Sequence, residues 1–79
     1  MDEVNLVKIE PGREVVVMQL DGGREFLEKA ESLGLRTGVR IKKLSAQVMH
    51  GPVMIKIGNS KVALGYGMAK RILVSRTGT

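Results

Sequence analysis

The sequence predicts a single, mainly β domain, a small and partly open barrel of about five strands with one short α-helix after the first long strand. Short apolar runs with the two-residue alternation of strands recur along the chain, and only one segment longer than a single turn has helical spacing. A length of 79 residues is enough to enclose one hydrophobic core but not two. Residues 1–79 are therefore expected to form one domain.

The first long strand is predicted over Glu14–Leu20, which reads EVVVMQL. Its apolar and β-branched residues occupy both alternating sets, as is typical of a strand that is covered on both faces. We therefore expect this strand to lie in the middle of the sheet rather than at an edge.

A short helix bracketed by glycines is predicted after this strand. Its apolar residues recur at helical spacing and are expected to plug an end of the barrel that the strands cannot close. They are Phe26, Leu27, Ala30 and Leu33. Asp21 is the expected N-cap, and Gly34 is the expected left-handed residue after the last turn, with Leu35 folding back onto Ala30. Gly38 is expected to allow the turn into the next strand.

Four further strands are predicted after the helix. The segment GVRIKKLSA alternates and then changes phase near Lys42–Lys43, so that Leu44 and Ala46 become its apolar set, which predicts a β-bulge or a sharp bend. The segment PVMIKIGNSKVAL predicts a hairpin with a tight turn at Gly58–Asn59. YGMAKR predicts a single helical turn, and ILVS predicts the closing strand.

The charges are divided unequally along the chain. All eight acidic residues lie at or before Glu31, where four basic residues accompany them, whereas residues 32–79 contain nine basic residues and no acid. The net charge is +5. A face of one sign attracts partners of the opposite sign, so nucleic acid, an anionic lipid surface and an acidic protein are the candidate partners. The alternative is that the lysines only keep exposed strand faces solvated.

The residues that catalysis requires are scarce. The chain has one histidine, no cysteine and no tryptophan, so a nucleophile with its general base has little to be built from. The carboxylates of Glu25, Glu28 and Glu31 are expected on the solvated face of the helix, and no glycine segment has the form of a phosphate-binding loop. The sequence therefore predicts a binding protein and not an enzyme.

The chain is expected to act in the cytoplasm without inserting into a membrane. The lack of cysteine fits a reducing compartment. The longest apolar run, Val15–Met18, is much shorter than the roughly 20 residues that cross a bilayer.

His50 is a weak candidate metal ligand, because Met49 and Met54 lie near it in the sequence and soft metals accept imidazole with thioether. A transition-metal site needs three or four ligands, however, and the segment reads as a loop. No metal site and no cofactor are therefore predicted, although binding of ferrous iron or another transition metal stays open.

Nucleic-acid binding is an alternative that the basic half of the chain supports, since lysine and arginine neutralise phosphates. Single-stranded nucleic acid is usually held by several stacked aromatic rings. Here Phe26 is expected to be buried in the helix stripe, which leaves Tyr66 for stacking. A nucleic-acid partner is therefore the second choice.

Two ordered segments, EPGREVVVMQLDGGREFLEKAESLGLRTGVRIKKL and GPVMIKIGNSKVALGYGMAKRILV, resemble the ferrous iron transport protein A (FeoA) family from about Leu6 to Val74. The resemblance implies a cytoplasmic SH3-like β-barrel that accompanies the FeoB-type ferrous iron transporter, contacts its cytoplasmic GTPase region and is peripheral to the inner membrane through that partner. The same fold occurs in metal-dependent repressors, so a stand-alone metal-responsive regulatory domain is a further alternative. Lys29–Ala30 and Thr37 depart from the Arg-Leu and Pro that many relatives have.

The expected binding surface combines charge with apolar contact. Its basic part is expected to dock an acidic surface of the transporter, and it consists of Arg40, Lys42, Lys43, Lys56 and Lys61. Met54 is expected to supply apolar contact area, as are Tyr66 and Met68 on the second helical turn. The sequence decides neither the direction of regulation nor the oligomeric state.

Overall fold

The computed structural model describes residues 3–46 and 49–76, with the side chain of Ala46 left out. Within these residues six strands are present: β1 (Glu3–Asn5), β2 (Glu14–Leu20), β3 (Arg40–Ala46), β4 (Val53–Ile57), β5 (Ser60–Leu64) and β6 (Ile72–Arg76). A 3-10 helix at Leu6–Lys8 follows β1, helix α1 (Arg24–Ser32) follows β2, and helix α2 (Tyr66–Ala69) follows β5. All paired strands are antiparallel, and their order in the open sheet is β1-β6-β2-β3-β4-β5.

The predicted mainly β architecture with a helix after the first long strand is confirmed. β2 lies between β6 and β3, in the interior of the sheet as expected. The additional strand β1 was not predicted, because three residues are too few to show an alternation. The turn between β4 and β5 is also confirmed: Ile57 lies opposite Ser60, and Gly58 has a φ of 59°. Asn59 does not share this left-handed conformation, and positive φ at the first of two turn residues alone is typical of a type II′ turn.

Two strands contain a bulge. In β3 the register passes from Lys43 opposite Ile55 to Ser45 opposite Met54, so Leu44 is the extra residue. The predicted bulge is thus present, immediately after Lys43. A second register shift, in β2, makes Met18 the extra residue against β6. The inserted residue bends the strand and increases its twist, which helps this sheet to curve around its core. The prediction that Ala46 joins the apolar set lies outside the described side chains.

The core is a single cluster of buried apolar side chains to which every element except β1 contributes. It consists of Leu6, Ile9, Val15, Val17, Ala30, Leu35, Ile41, Val53, Ile55, Leu64, Ala69, Ile72 and Val74. Phe26 of α1 and Leu33, the C-cap residue of this helix, pack against this cluster and are half-buried. Leu27, which was expected in the same apolar stripe, is 42% exposed. The buried stripe of α1 is therefore narrower than the spacing predicted.

The end of α1 has the predicted geometry, but its beginning does not. Gly34 has a φ of 92°, its N–H donates to Glu31 O at 3.0 Å, and the N–H of Leu35 donates to Ala30 O at 2.9 Å. These bonds form a Schellman motif. The prediction of Asp21 as N-cap is wrong, because the cap is Gly23. The N–H of Asp21 instead donates to Arg71 O at 2.8 Å, which holds the end of β2 to the chain entering β6.

Lys43 is the main exception to the predicted surface, because its side chain lies in the core with 1% exposure. Its Nζ donates to the carbonyl oxygens of Leu6 at 3.2 Å, Val7 at 3.0 Å and Ile9 at 2.6 Å. An ammonium group has three donors, and here each has an acceptor. The expectation that Lys43 belongs to the exposed basic face is therefore wrong: the inward set of β3 continues from Ile41 to Lys43 before the bulge changes its phase.

Two pKa shifts accompany this arrangement. Burial lowers the pKa of Lys43, and the nearby carboxylate of Glu10 partly opposes that effect. The pKa of Glu10 is itself lowered, first by a hydrogen bond from its backbone N–H and then by the charges of Arg76, Arg13 and Lys43. The exposed carboxylate of Glu10 thus stays ionised near the buried ammonium group of Lys43.

The Schellman motif provides a test of the helix end. We expect Gly34→Ala to lower the free energy of unfolding by about 1–2 kcal/mol, because a Cβ in the left-handed region clashes with its own backbone. Urea unfolding followed by circular dichroism measures the change. Gly67→Ala is the matched control, since Gly67 lies in α2 without positive φ and a Cβ there meets nothing within 4 Å. A loss of stability no larger in Gly34→Ala than in the control would contradict the prediction.

The buried ammonium provides a second test. We expect Lys43→Met to lower the free energy of unfolding by about 3 kcal/mol, because it keeps the apolar stem but leaves buried carbonyl oxygens without a donor. Lys42→Met, one residue away and exposed, is the control and is expected to stay within about 0.5 kcal/mol of the native protein. Both values come from urea unfolding at pH 7. Equal stability of the two variants would show that the three hydrogen bonds contribute nothing.

Candidate functional site

The outer face of the sheet contains a row of three exposed lysines on neighbouring strands. Lys42 of β3 lies directly opposite Lys56 of β4, and Lys56 lies directly opposite Lys61 of β5. We call Lys42, Lys56 and Lys61 the lysine row. On the other side, Lys42 faces Glu14 of β2. The row therefore has a carboxylate beside its β2 end, whereas among the described residues Lys61 at the β5 end has no further strand partner.

Arg40 extends this basic surface by one position. Side chains two residues apart share a face of a strand, so Arg40 points to the same side as Lys42, whereas Ile41 between them is buried. Arg40 is exposed and lies opposite Val16, which is half-buried. We call Arg40 together with the lysine row the outer basic face.

Two depressions border this face. One has a volume of about 330 Å³ and is lined by Glu14, Arg40, Ile41, Lys42, Lys56 and Gly58. The other has a volume of about 380 Å³ and is lined by Gly12, Arg13, Glu14 and Lys42. Glu14 and Lys42 line both, so the two depressions adjoin at the β2 end of the lysine row. Together the two depressions are lined by several cationic side chains and by one carboxylate, that of Glu14.

The predicted apolar contacts are distributed over two regions. Met54 is half-buried and lies two residues before Lys56 on the same face of β4, which places it beside the lysine row. Met68 of α2 is half-buried and packs against the core. Tyr66 of α2 is half-buried, and the Nζ atom of Lys70 lies 5.9 Å from the centre of its ring. Of the three residues, the structure thus connects Met54 to the outer basic face through strand register.

His50 packs on Tyr66. The two rings are stacked, with centroids 4.3 Å apart and planes 25° from parallel. His50 and Met49 both have positive φ, 63° and 60°, and the side chain of Met49 is 89% exposed. Within residues 3–46 and 49–76, no group of three or more histidine, cysteine, aspartate or glutamate side chains is arranged to hold a metal ion. His50 stays a candidate ligand, with a ring contact that the sequence did not predict.

The sequence predicted the three residues of the lysine row as part of a basic surface, but it did not predict that they lie opposite one another on neighbouring strands. The two-residue turn at Gly58–Asn59 pairs Ile57 with Ser60, and one step further it pairs Lys56 with Lys61. The pairing of Lys56 with Lys61 could therefore have been predicted from the length of the hairpin turn. The pairing of Lys42 with Lys56 had no such signal, because the loop between β3 and β4 does not determine its register by length alone.

In the part of the chain that the structure describes, no helix has the length and apolar character needed to cross a membrane.

Comparison with known proteins reveals relatives over nearly the whole chain. The family model described as FeoA domain matches residues 4–76. A protein of Methanocaldococcus jannaschii named "Putative Fe(2+) transport protein A" is 35% identical over 63 residues, which are 80% of this chain and 74% of that protein. A crystal structure described as "Iron Uptake Regulatory Protein (FeoA)" is 32% identical with a TM-score of 0.85, and the match covers 95% of this chain and 97% of the other.

A manganese-dependent transcriptional repressor also has this fold. It is 21% identical with a TM-score of 0.87, over 94% of this chain and 41% of the repressor. At that identity the similarity shows the fold alone. The predicted small, SH3-like open β-barrel is confirmed by these structures. Because the family model matches most of the chain and two relatives exceed 30% identity over most of their own length, this chain belongs to the FeoA family of Fe(2+) transport proteins.

Proposed function

We propose that this protein is a non-enzymatic accessory protein of Fe(2+) transport that binds the cytoplasmic GTPase region of a FeoB-type transporter. The observation that carries the proposal is the outer basic face, an exposed cationic surface on a member of an iron-transport family. The protein then acts in the cytoplasm and reaches the inner membrane through its partner. No catalytic step is assigned to it, because the chain has one histidine and no cysteine from which a nucleophile with its general base could be built.

The outer basic face suits an acidic protein surface for two reasons. Its four cationic side chains are exposed, so they attract an acidic partner at a distance and raise the rate of encounter. Charge alone gives a weak complex, and stable interfaces have an apolar centre. Val16 and Met54 are half-buried on the same face, next to Arg40 and the lysine row respectively, and they supply such a centre. Tyr66 and Met68 of α2 form a second proposed contact region.

Two alternatives rest on particular observations. Nucleic-acid binding is favoured by the same cationic face and by the stacked pair of His50 and Tyr66, on which a base could continue the stack. A stand-alone metal-responsive regulatory role is favoured by the fold shared with the manganese-dependent repressor. In that case His50 is the first ligand to examine.

Charge reversal tests the proposed partner. We expect the combined variant Lys42→Glu, Lys56→Glu and Lys61→Glu to bind the isolated cytoplasmic domain of the transporter at least roughly tenfold more weakly than the native protein, because attraction becomes repulsion across the interface. Isothermal titration calorimetry at 50, 150 and 500 mM salt measures the affinity, and the native complex should weaken with salt.

The matched control reverses three exposed cationic residues that do not belong to the outer basic face, Arg24, Lys29 and Arg36. It has the same net charge as the lysine-row variant but an intact outer basic face, so it should retain most of the affinity. Equal affinity of all three proteins at every salt concentration would contradict the proposed site.

A titration with nucleic acid separates the main alternative. Mixed single-stranded and double-stranded DNA and RNA are titrated at 50 mM salt and again at 200 mM. Under the proposed function we expect weak binding that the two charge-reversal variants lose to a similar degree, because nonspecific phosphate attraction follows net charge. Binding that stays tight at 200 mM salt and is lost on His50→Ala would instead establish the nucleic-acid function.

A further inference from the structure

β5 is an edge strand. In the described part of the chain it pairs with β4 alone and ends the sheet order β1-β6-β2-β3-β4-β5. An edge strand presents N–H and C=O groups without strand partners, and such groups can pair with an additional strand. The opposite edge, β1, has three residues, whereas β5 has five. β5 is therefore the longer edge available to an incoming strand.

The tight turn determines which groups of β5 face outward. In a two-residue hairpin the residues that flank the turn, here Ile57 and Ser60, form a hydrogen-bonded pair. Because bonded and non-bonded pairs alternate, Lys56 and Lys61 form a non-bonded pair. The backbone N–H and C=O of Lys61, and those of Ala63 two residues later, then point away from β4 toward the open edge.

The same register places Lys56 and Lys61 in the closer of the two kinds of antiparallel pair. Side chains of a non-hydrogen-bonded pair are nearer to each other than those of a bonded pair, and like charges directly opposite destabilise a sheet. Within residues 3–46 and 49–76, neither Lys56 nor Lys61 has a carboxylate at ion-pair distance. A carboxylate placed beyond Lys61, on the outer face of a seventh strand, would neutralise this repulsion.

We infer that the outer edge of β5 is a docking site for an extended acidic segment of the partner protein, which adds to the sheet as a seventh strand with carboxylates beside the lysine row. The inference rests on the proposed function and specifies the chemistry of the contact. The inner face requires the opposite character, because Val62 is half-buried and Leu64 is buried on that side. The docking segment therefore alternates acidic and apolar residues over about five positions.

The lysine row also explains why the edge would prefer a foreign strand to a second copy of this chain. Edge-to-edge pairing of two copies would bring Lys61 of one molecule near the cationic row of the other, and that repulsion disfavours self-association. An acidic strand encounters attraction at the same position. One set of charges thus both protects the edge and selects its partner.

The test uses a fluorescein-labelled peptide of alternating glutamate and valine, seven residues long, whose binding is followed by anisotropy at 50 mM salt. A second peptide has the same side chains, but its backbone nitrogens are methylated at the alternate positions that would face β5. We expect the methylated peptide to bind at least about tenfold more weakly, because it retains the charge but has lost the hydrogen bonds of the added strand. Lys61→Gln should weaken the unmethylated peptide severalfold, and Lys8→Gln, an exposed control, should not.

A stability measurement on the free protein completes the test. We expect Lys61→Gln to raise the midpoint of thermal unfolding at low salt, because it removes a like-charge pair, and the gain should vanish at 500 mM salt. A residue that lowers the stability of the free protein but strengthens binding is typical of a functional site. Lys8→Gln should leave the midpoint unchanged.

The outcomes distinguish the inference from the proposed function. Equal binding of the two peptides, or displacement of the peptide by polyglutamate or by a DNA oligonucleotide as readily as by the unlabelled peptide, would show an attraction without strand addition and would overturn the inference. Absence of peptide binding would overturn it as well, while an intact complex with the transporter domain would leave the proposed function standing. Failure of that complex would contradict the proposed function itself.

Discussion

The arrangement of this domain depends on one buried ammonium group. The Nζ of Lys43 donates three hydrogen bonds to the N-terminal segment, to the carbonyl oxygens of Leu6, Val7 and Ile9. That segment leads from β1, which pairs with β6, to β2. Successive side chains of a strand point to opposite faces. Because Lys43 points inward, its neighbour Lys42 points outward and contributes to the outer basic face. A charged group in the core thus fixes both the position of the first strand and the side on which the other lysines appear.

The strands, the short helix and its C-terminal motif could be predicted because their signals are local. A run of apolar and β-branched residues identifies β2, the glycine-containing turn identifies the β4–β5 hairpin, and Gly34 with Leu35 identifies the end of α1. The failures share a different cause. Asp21 and Lys43 have tertiary partners, the carbonyl oxygens of Arg71 and of the 3-10 helix, and no sequence pattern reveals a partner that is distant along the chain. A lysine in a strand is expected at the surface unless its acceptors are known.

The candidate surface shows a similar division between local and distant information. The sequence indicates a basic second half, but the structure does not separate the acidic and basic halves in space. β2, from the acidic half, lies between β3 and β6 from the basic half, and its Glu14 faces Lys42. On the other side of β2 from β6, the strands β3, β4 and β5 together contain five basic residues and no acidic one. Lys42 pairs with Lys56, and Lys56 pairs with Lys61. The excess of basic residues in the second half of the chain thus becomes a row of lysines across three strands.

The position of β6 in the sheet affects how the chain reaches this fold during synthesis. Among the described residues β6 is the last strand along the chain, yet it lies between β1 and β2 and contributes Ile72 and Val74 to the core. A ribosome-bound chain that lacks these residues can form the β3–β4–β5 meander, but β1 has no neighbour and the core stays open on one side. Non-local pairing of this kind delays folding until β6 has been synthesised. The six described strands therefore complete their sheet together, after the strand that connects β1 to β2 has emerged.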